Sequence, residues 1–114
     1  MVTKKKVVGA VPVCAPKLVR DYIPDLMREA GLSPEVEVLK DDRRFLAALN
    51  DKLFEEVAEY KEGLDEEELA DVIEVVEEIV ALLERVSPGR LERVRAHKRS
   101  RKGGFTARQY LKRA

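Results

Sequence analysis

Leu46, Leu49, Leu53, Val57 and Tyr60 recur at intervals of three and four. That is the repeat of one face of an α-helix, and it predicts a helix running to about Glu62. Asp41 or Asp42 stands where its N-terminal cap belongs. A second set, Leu69, Val72, Ile73, Val76, Ile79, Val80 and Leu83, repeats the spacing farther on. Gly63-Leu64-Asp65 separates the two sets, and Asp65 can cap the second helix. So short a link between amphipathic helices predicts an antiparallel hairpin.

Weaker patterns flank the hairpin. Residues 22–30 suit a short helix, with Pro24 in its first turn and Gly31 stopping it. Glu35-Val-Glu-Val-Leu39 alternates polar and apolar residues, which predicts a short strand. Ser87-Pro88 reads as a cap followed by a proline at the first helical position. The third long helix then covers about 88–101, and Gly103-Gly104 ends it. Phe105, Tyr110 and Leu111 lie in a tail that can dock. Residues 1–16 read as an N-terminal arm with a short strand at Val7–Val13, and residues 17–114 as one domain. No internal repeat or low-complexity linker interrupts it.

Charge changes this picture more than size does. The 114 residues are formally neutral, with 39% charged and no Trp, so the expected core is thin and self-association is favoured. Residues 51–84 hold 14 acids against 2 bases, a net of −12, whereas residues 85–114 hold 11 bases against 1 acid, a net of +10. An acidic middle suits a bound cation and a basic tail suits an anion. The lone Cys14 excludes an internal disulfide and a multi-cysteine zinc site. It fits a reducing compartment, and a cytoplasmic location is expected. No apolar run approaches the length of a membrane span. Pro12 and Pro16 interrupt the mildly apolar start, unlike a signal peptide. Abundant Glu, Lys and Arg point to a thermophile.

Within the acidic middle, Glu56 and Glu59 form one pair spaced three apart, and Glu68 and Asp71 form another. Each pair projects from one side of its helix. At about 100° per residue, Glu56 falls roughly 60° from Leu53, at the edge of the first apolar stripe. Glu68 falls between Ile79 and Val75, inside the second stripe, and Asp71 just beyond Val75. Glu59 sits well outside the stripe and is included for its pairing with Glu56. Carboxylates in such places are costly unless they are paired or bind a metal. Glu66, Glu67, Glu74 and Glu78 point to the outer, solvated face. Four convergent carboxylates suit a hard divalent cation, with Mg²⁺ the natural occupant.

Lys52-Leu-Phe-Glu-Glu-Val-Ala-Glu59 followed by Glu67-Glu-Leu-Ala-Asp71-Val-Ile-Glu-Val resembles the signature of the all-α nucleoside triphosphate pyrophosphohydrolases, the MazG-like and phosphoribosyl-ATP pyrophosphohydrolase-like proteins. Lys17-Leu-Val-Arg-Asp-Tyr-Ile-Pro24 is similar to the opening motif of a small branch of that superfamily. Lys98-Arg-Ser-Arg-Lys-Gly-Gly-Phe105 is similar to its closing basic motif. The three motifs stand in order and cover about residues 17–112. Eight residues separate Glu59 from Glu68, fewer than in typical MazG proteins, so a longer substrate-contacting connection is missing.

The resemblance implies a mainly α fold, an antiparallel hairpin with further helices in a bundle completed by a homodimer or higher oligomer. Short β segments would be peripheral. It implies Glu56, Glu59, Glu68 and Asp71 as ligands of Mg²⁺ or Mn²⁺, with Glu55 or Glu59 holding the attacking water. Lys17, Arg20, Lys98, Arg101 and Lys102 are the expected phosphate-binding groups, and Gly103 and Gly104 can offer backbone amides. The implied reaction cleaves a (d)NTP or related nucleotide to the monophosphate and pyrophosphate. Two alternatives stand beside it. One is hydrolysis of phosphoribosyl-ATP in histidine synthesis. The other is a nonenzymatic nucleic-acid-binding helical module, disfavoured because the acidic middle repels nucleic acid and the basic tail has little aromatic interleaving.

Overall fold

The structure, a computed structural model, describes residues 16–114. The arm with its expected strand at Val7–Val13, and Cys14, lie outside the described residues. Those described form four helices: α1 (Ile23–Glu29), α2 (Asp42–Gly63), α3 (Glu66–Val86) and α4 (Arg90–Lys102). The fold is mainly α. None of these helices is long and apolar enough to cross a membrane. The chain divides into two compact units, Met1–Ile79 and Val80–Ala114.

In the first unit, local chemistry sets the helix ends. Pro24 stands in the first turn of α1, where no intrahelical donor is lost. Gly31, at φ 91°, closes that helix. The Leu32 N–H donates to Met27 O, and the Gly31 N–H to Arg28 O. This is the Schellman pair of bonds that satisfies terminal carbonyls. Asp41 caps α2, its Oδ1 accepting from the Arg43 N–H at 3.1 Å. Leu64 ends α2 in the left-handed region at φ 57°. Asp65 Oδ1 accepts the Glu68 N–H at 2.9 Å and so caps α3.

No strand is present among the described residues, so the strand expected at Glu35–Leu39 is replaced by irregular chain. Alternation alone supplies no hydrogen-bonding partner for a ladder. The segment is tied to α2 by a side chain instead. Both terminal guanidinium nitrogens of Arg44 donate to the Glu37 carboxylate, at 2.9 and 3.3 Å.

Leu49 and Glu56 are the buried residues of α2. Seven positions apart, they share one face of the helix, so the acid lies in line with the core leucine. On α3 the apolar arc is wide and only partly covered. Val72, Val75, Ile79 and Leu82 are withdrawn from solvent. Leu69, Ile73, Val76 and Val80, beside them, remain 37–51% exposed.

In the second unit the start of α4 differs from expectation. The helix begins at Arg90, with Gly89, at φ 77°, in the N-cap position and no side-chain capping bond. Glu84 Oε2 accepts the Gly89 N–H at 2.9 Å, and the Ser87 carbonyl accepts the Arg90 N–H at 3.1 Å. A tight turn at Ser87-Pro88-Gly89 takes the place of a serine cap. Gly103, at φ 81°, ends α4. The tail beyond it is not helical, and Phe105, Tyr110 and Leu111 are 95%, 88% and 81% exposed rather than docked.

Candidate active site

The acids of the first unit fall into two classes. Glu56 is 2% exposed. Glu55, Glu59, Glu68 and Asp71 are half-buried. Every other Asp and Glu among the described residues is exposed, including Glu66, Glu67, Glu74 and Glu78. The geometry behind this is simple. At roughly 100° per residue, Glu56 lies within the arc of α2 that also holds Leu49 and Tyr60, with Glu59 and Glu55 on its flank. Glu68 lies in the middle of the covered arc of α3, between Val75 and Ile79.

Bases from α2 and from the chain ahead of α1 contact these acids. Lys52 Nζ lies 3.3 Å from Glu55 Oε1 and 3.3 Å from Glu56 Oε2. Lys17 Nζ lies 3.5 Å from Glu55 Oε2. Arg20 Nη2 donates to Asp71 Oδ1 at 2.7 Å, across 51 positions of sequence. The opening segment therefore reaches α2 through Lys17 and α3 through Arg20. A cleft of about 70 Å³ opens beside Lys17, lined also by Leu18, Ala48, Lys52 and Glu55. It is far smaller than the ~300–1,000 Å³ of a typical small-molecule pocket.

Sequence reasoning gave Lys52 no role of its own. Its signal was available, since residues three and four farther along a helix lie on its side. Gly63 was read only as part of a connection, yet it makes room for Glu68. A Cβ built on Gly63 would collide with the Glu68 carboxylate.

Among the described residues, no three His, Cys, Asp or Glu side chains are gathered closely enough to grip an ion. The donors themselves fit a hard divalent cation. All five are carboxylates, all are withdrawn from solvent, and Glu55, Glu56 and Asp71 already attract cationic nitrogen.

The remaining expected phosphate ligands belong to the second unit. Lys98, Arg101 and Lys102 are exposed near the end of α4. The Gly103 N–H is already engaged, donating to Arg99 O at 2.8 Å. That amide closes the helix and is not offered to a ligand. Gly104 lies in the irregular chain just beyond.

No protein-family model matches the chain, and no solved structure matches it. A 45-residue stretch, 40% of the chain, is 51% identical to an uncharacterized protein of Mycolicibacterium smegmatis. The match spans 45% of that relative's length.

Proposed function

We propose that this chain is a Mg²⁺-dependent nucleotide pyrophosphohydrolase that converts a (d)NTP or related nucleotide to the monophosphate and pyrophosphate. One observation carries the reading. The five acids that the pyrophosphohydrolase-like motifs single out are the five that the fold withdraws from water, in a chain rich in exposed acids. Burying a carboxylate, wholly or in part, is unfavourable without compensation, so one buried and four half-buried acids in one unit favour a role for positive charge there.

Glu56, Glu59, Glu68 and Asp71 would hold the Mg²⁺, or Mn²⁺. When bound, the ion would neutralise phosphate oxygens and raise the electrophilicity of phosphorus. Glu55 or Glu59 positions a water and accepts its proton. The water oxygen bonds to the α-phosphorus as the α–β bridging bond breaks, and the electron pair leaves with pyrophosphate. Lys17 and Arg20 bind phosphate oxygens and offset their charge. Lys98, Arg101 and Lys102 are further phosphate-binding groups, and the Gly104 amide is another donor.

The working assembly is a homodimer built around an antiparallel α2–α3 hairpin. Two features favour it. Among the described residues Leu49, in the first unit, and Leu82, in the second, are the buried apolar ones, little interior for a chain of this length. The uncovered stripe Leu69, Ile73, Val76 and Val80 keeps one face of α3 in register for a second copy, with steps of four, three and four. A second copy would also supply the enclosure that the small cleft beside Lys17 lacks.

The test is pyrophosphate release from a panel of canonical and modified (d)NTPs and phosphoribosyl-ATP, with Mg²⁺. Release is expected from the wild type and from Glu74→Gln and Glu78→Gln. It is expected to be lost in Glu56→Gln and Asp71→Asn. No release above those two variants rejects the reading. Preference for phosphoribosyl-ATP over every (d)NTP would move the assignment to that substrate. Salt-dependent binding of RNA or DNA without metal binding would favour a nonenzymatic module instead.

A further inference from the structure

Arg20 and Asp71 are 2.7 Å apart, yet the proposed reaction gives them different partners. Asp71 would face a metal ion and Arg20 a phosphate. A guanidinium at that distance covers the carboxylate oxygen and repels a second cation approaching it. In the arrangement seen, Arg20 and a metal ion would compete for that oxygen.

We propose that Arg20 is a displaceable counter-cation. It neutralises Asp71 in the metal-free protein, yields that carboxylate to the incoming ion, and then turns to the phosphates of the substrate. The inference rests on the pyrophosphohydrolase reading and adds an ordered exchange to it.

The two kinds of base at the site support this. Lys52 is 14% exposed and reaches two carboxylates from within α2. It is a fixed part of the helix. Arg20 is 55% exposed and contacts Asp71 from irregular chain ahead of α1. Its long side chain can leave Asp71 without disturbing a helix. Lys17, at 3.5 Å from Glu55 and 41% exposed, is held still more loosely.

The exchange is tested by titrating the full chain with Mn²⁺ in the absence of nucleotide, following free Mn²⁺ by EPR. Asp71→Asn should lose affinity. Arg20→Gln removes the competing cation, and an exposed pair of this kind corresponds to about two- to fivefold tighter Mn²⁺ binding. Arg20→Lys keeps the charge and should stay near wild type. In the pyrophosphate assay the same Arg20→Gln protein should show a raised KM for nucleotide. A purely structural Arg20 would instead weaken both metal and nucleotide binding. Equal or weaker Mn²⁺ binding by Arg20→Gln, with wild type binding the ion, overturns the exchange alone. Failure of wild type both to bind Mn²⁺ and to release pyrophosphate overturns the enzymatic reading, and the exchange with it.

Discussion

Lys52 Nζ lies 3.3 Å from Glu56 Oε2, one turn along α2, and holds a carboxylate that is almost wholly buried. Neither member has easy access to water, so the pair is strongly asymmetric toward mutation. Lys52→Met removes the cation and leaves the acid inside, which should cost about 3 kcal/mol. Glu56→Gln removes the charge but keeps the shape, and should cost much less. Urea denaturation of both variants in EDTA measures this. The activity ranking should differ from the stability ranking, because Glu56→Gln loses a proposed metal ligand and should be inactive while well folded. Equal destabilisation by the two variants would contradict the buried-pair account.

Gly63 connects the end of α2 to the site. The space that a Cβ would need is filled by the Glu68 carboxylate. That carboxylate is the far end of a flexible side chain, so Gly63→Ala can be accommodated by moving it. Alanine also favours helix over glycine by roughly 1 kcal/mol, so stability should change little. Catalysis should respond more, since a displaced ligand commonly costs tenfold or more in rate, up to about 10²-fold for a 1 Å shift. Thermal unfolding and pyrophosphate release, measured side by side, should separate the two effects. Unchanged turnover would show that the position of Glu68 does not matter to the reaction.

These contrasts show what the sequence exposes and what it hides. Both ends of α2 lie within a residue or so of where Asp41 and the leucine repeat placed them, because capping and amphipathicity are local. The inward placement of Glu56 and Glu68 was readable for the same reason. The start of α4 was placed early, because Gly89 rather than Ser87 holds the N-cap position, its N–H taken by the Glu84 side chain of the helix before. The alternation at Glu35–Leu39 was real, but alternation cannot report a missing partner strand. Arg20 meeting Asp71 was hidden as well. Periodicity orders residues around one helix and is silent about a contact spanning 51 positions. Glu59 is the intermediate case. The wheel put it outside the apolar stripe, yet it is half-buried on the flank of the covered arc.

The uncovered stripe of α3 gives a direct handle on assembly. Ile73 is 51% exposed and stands between Leu69 and Val76 on that face. Burying such a side chain is worth about 1.5–3 kcal/mol. In the proposed homodimer Ile73→Asp forfeits that and adds a charge to the interface, so the dissociation constant should rise at least tenfold. Glu78, about 180° round the helix from Leu69, serves as the control, and Glu78→Gln should leave the mass unchanged. Light scattering across a concentration series distinguishes them. A wild-type mass of 13 kDa at micromolar concentration would remove the homodimer from the proposal.

Acid should loosen the 35–40 segment as the Glu37 carboxylate takes up a proton. The two bonds from Arg44, and then the Arg44 charge, hold the Glu37 carboxyl below its ordinary value of 4.5. The partner effect is reciprocal, and Arg44 is raised by the same contact. For a depressed carboxyl, the stabilising contribution is fully present above the ordinary value. It fades as pH falls through the lower folded-state value, and is absent below it. Glu37→Gln lacks the contribution at every pH. Its melting temperature should therefore lie slightly below wild type at pH 7, and the two curves should merge in strong acid. The pair is solvent-exposed and the difference is correspondingly small, so limited proteolysis is the sharper readout. Cleavage within residues 35–40 should be faster in Glu37→Gln than in wild type at pH 7. A difference between the proteins that persisted or grew below the range in which carboxylates titrate would exclude the Arg44 contact as its source.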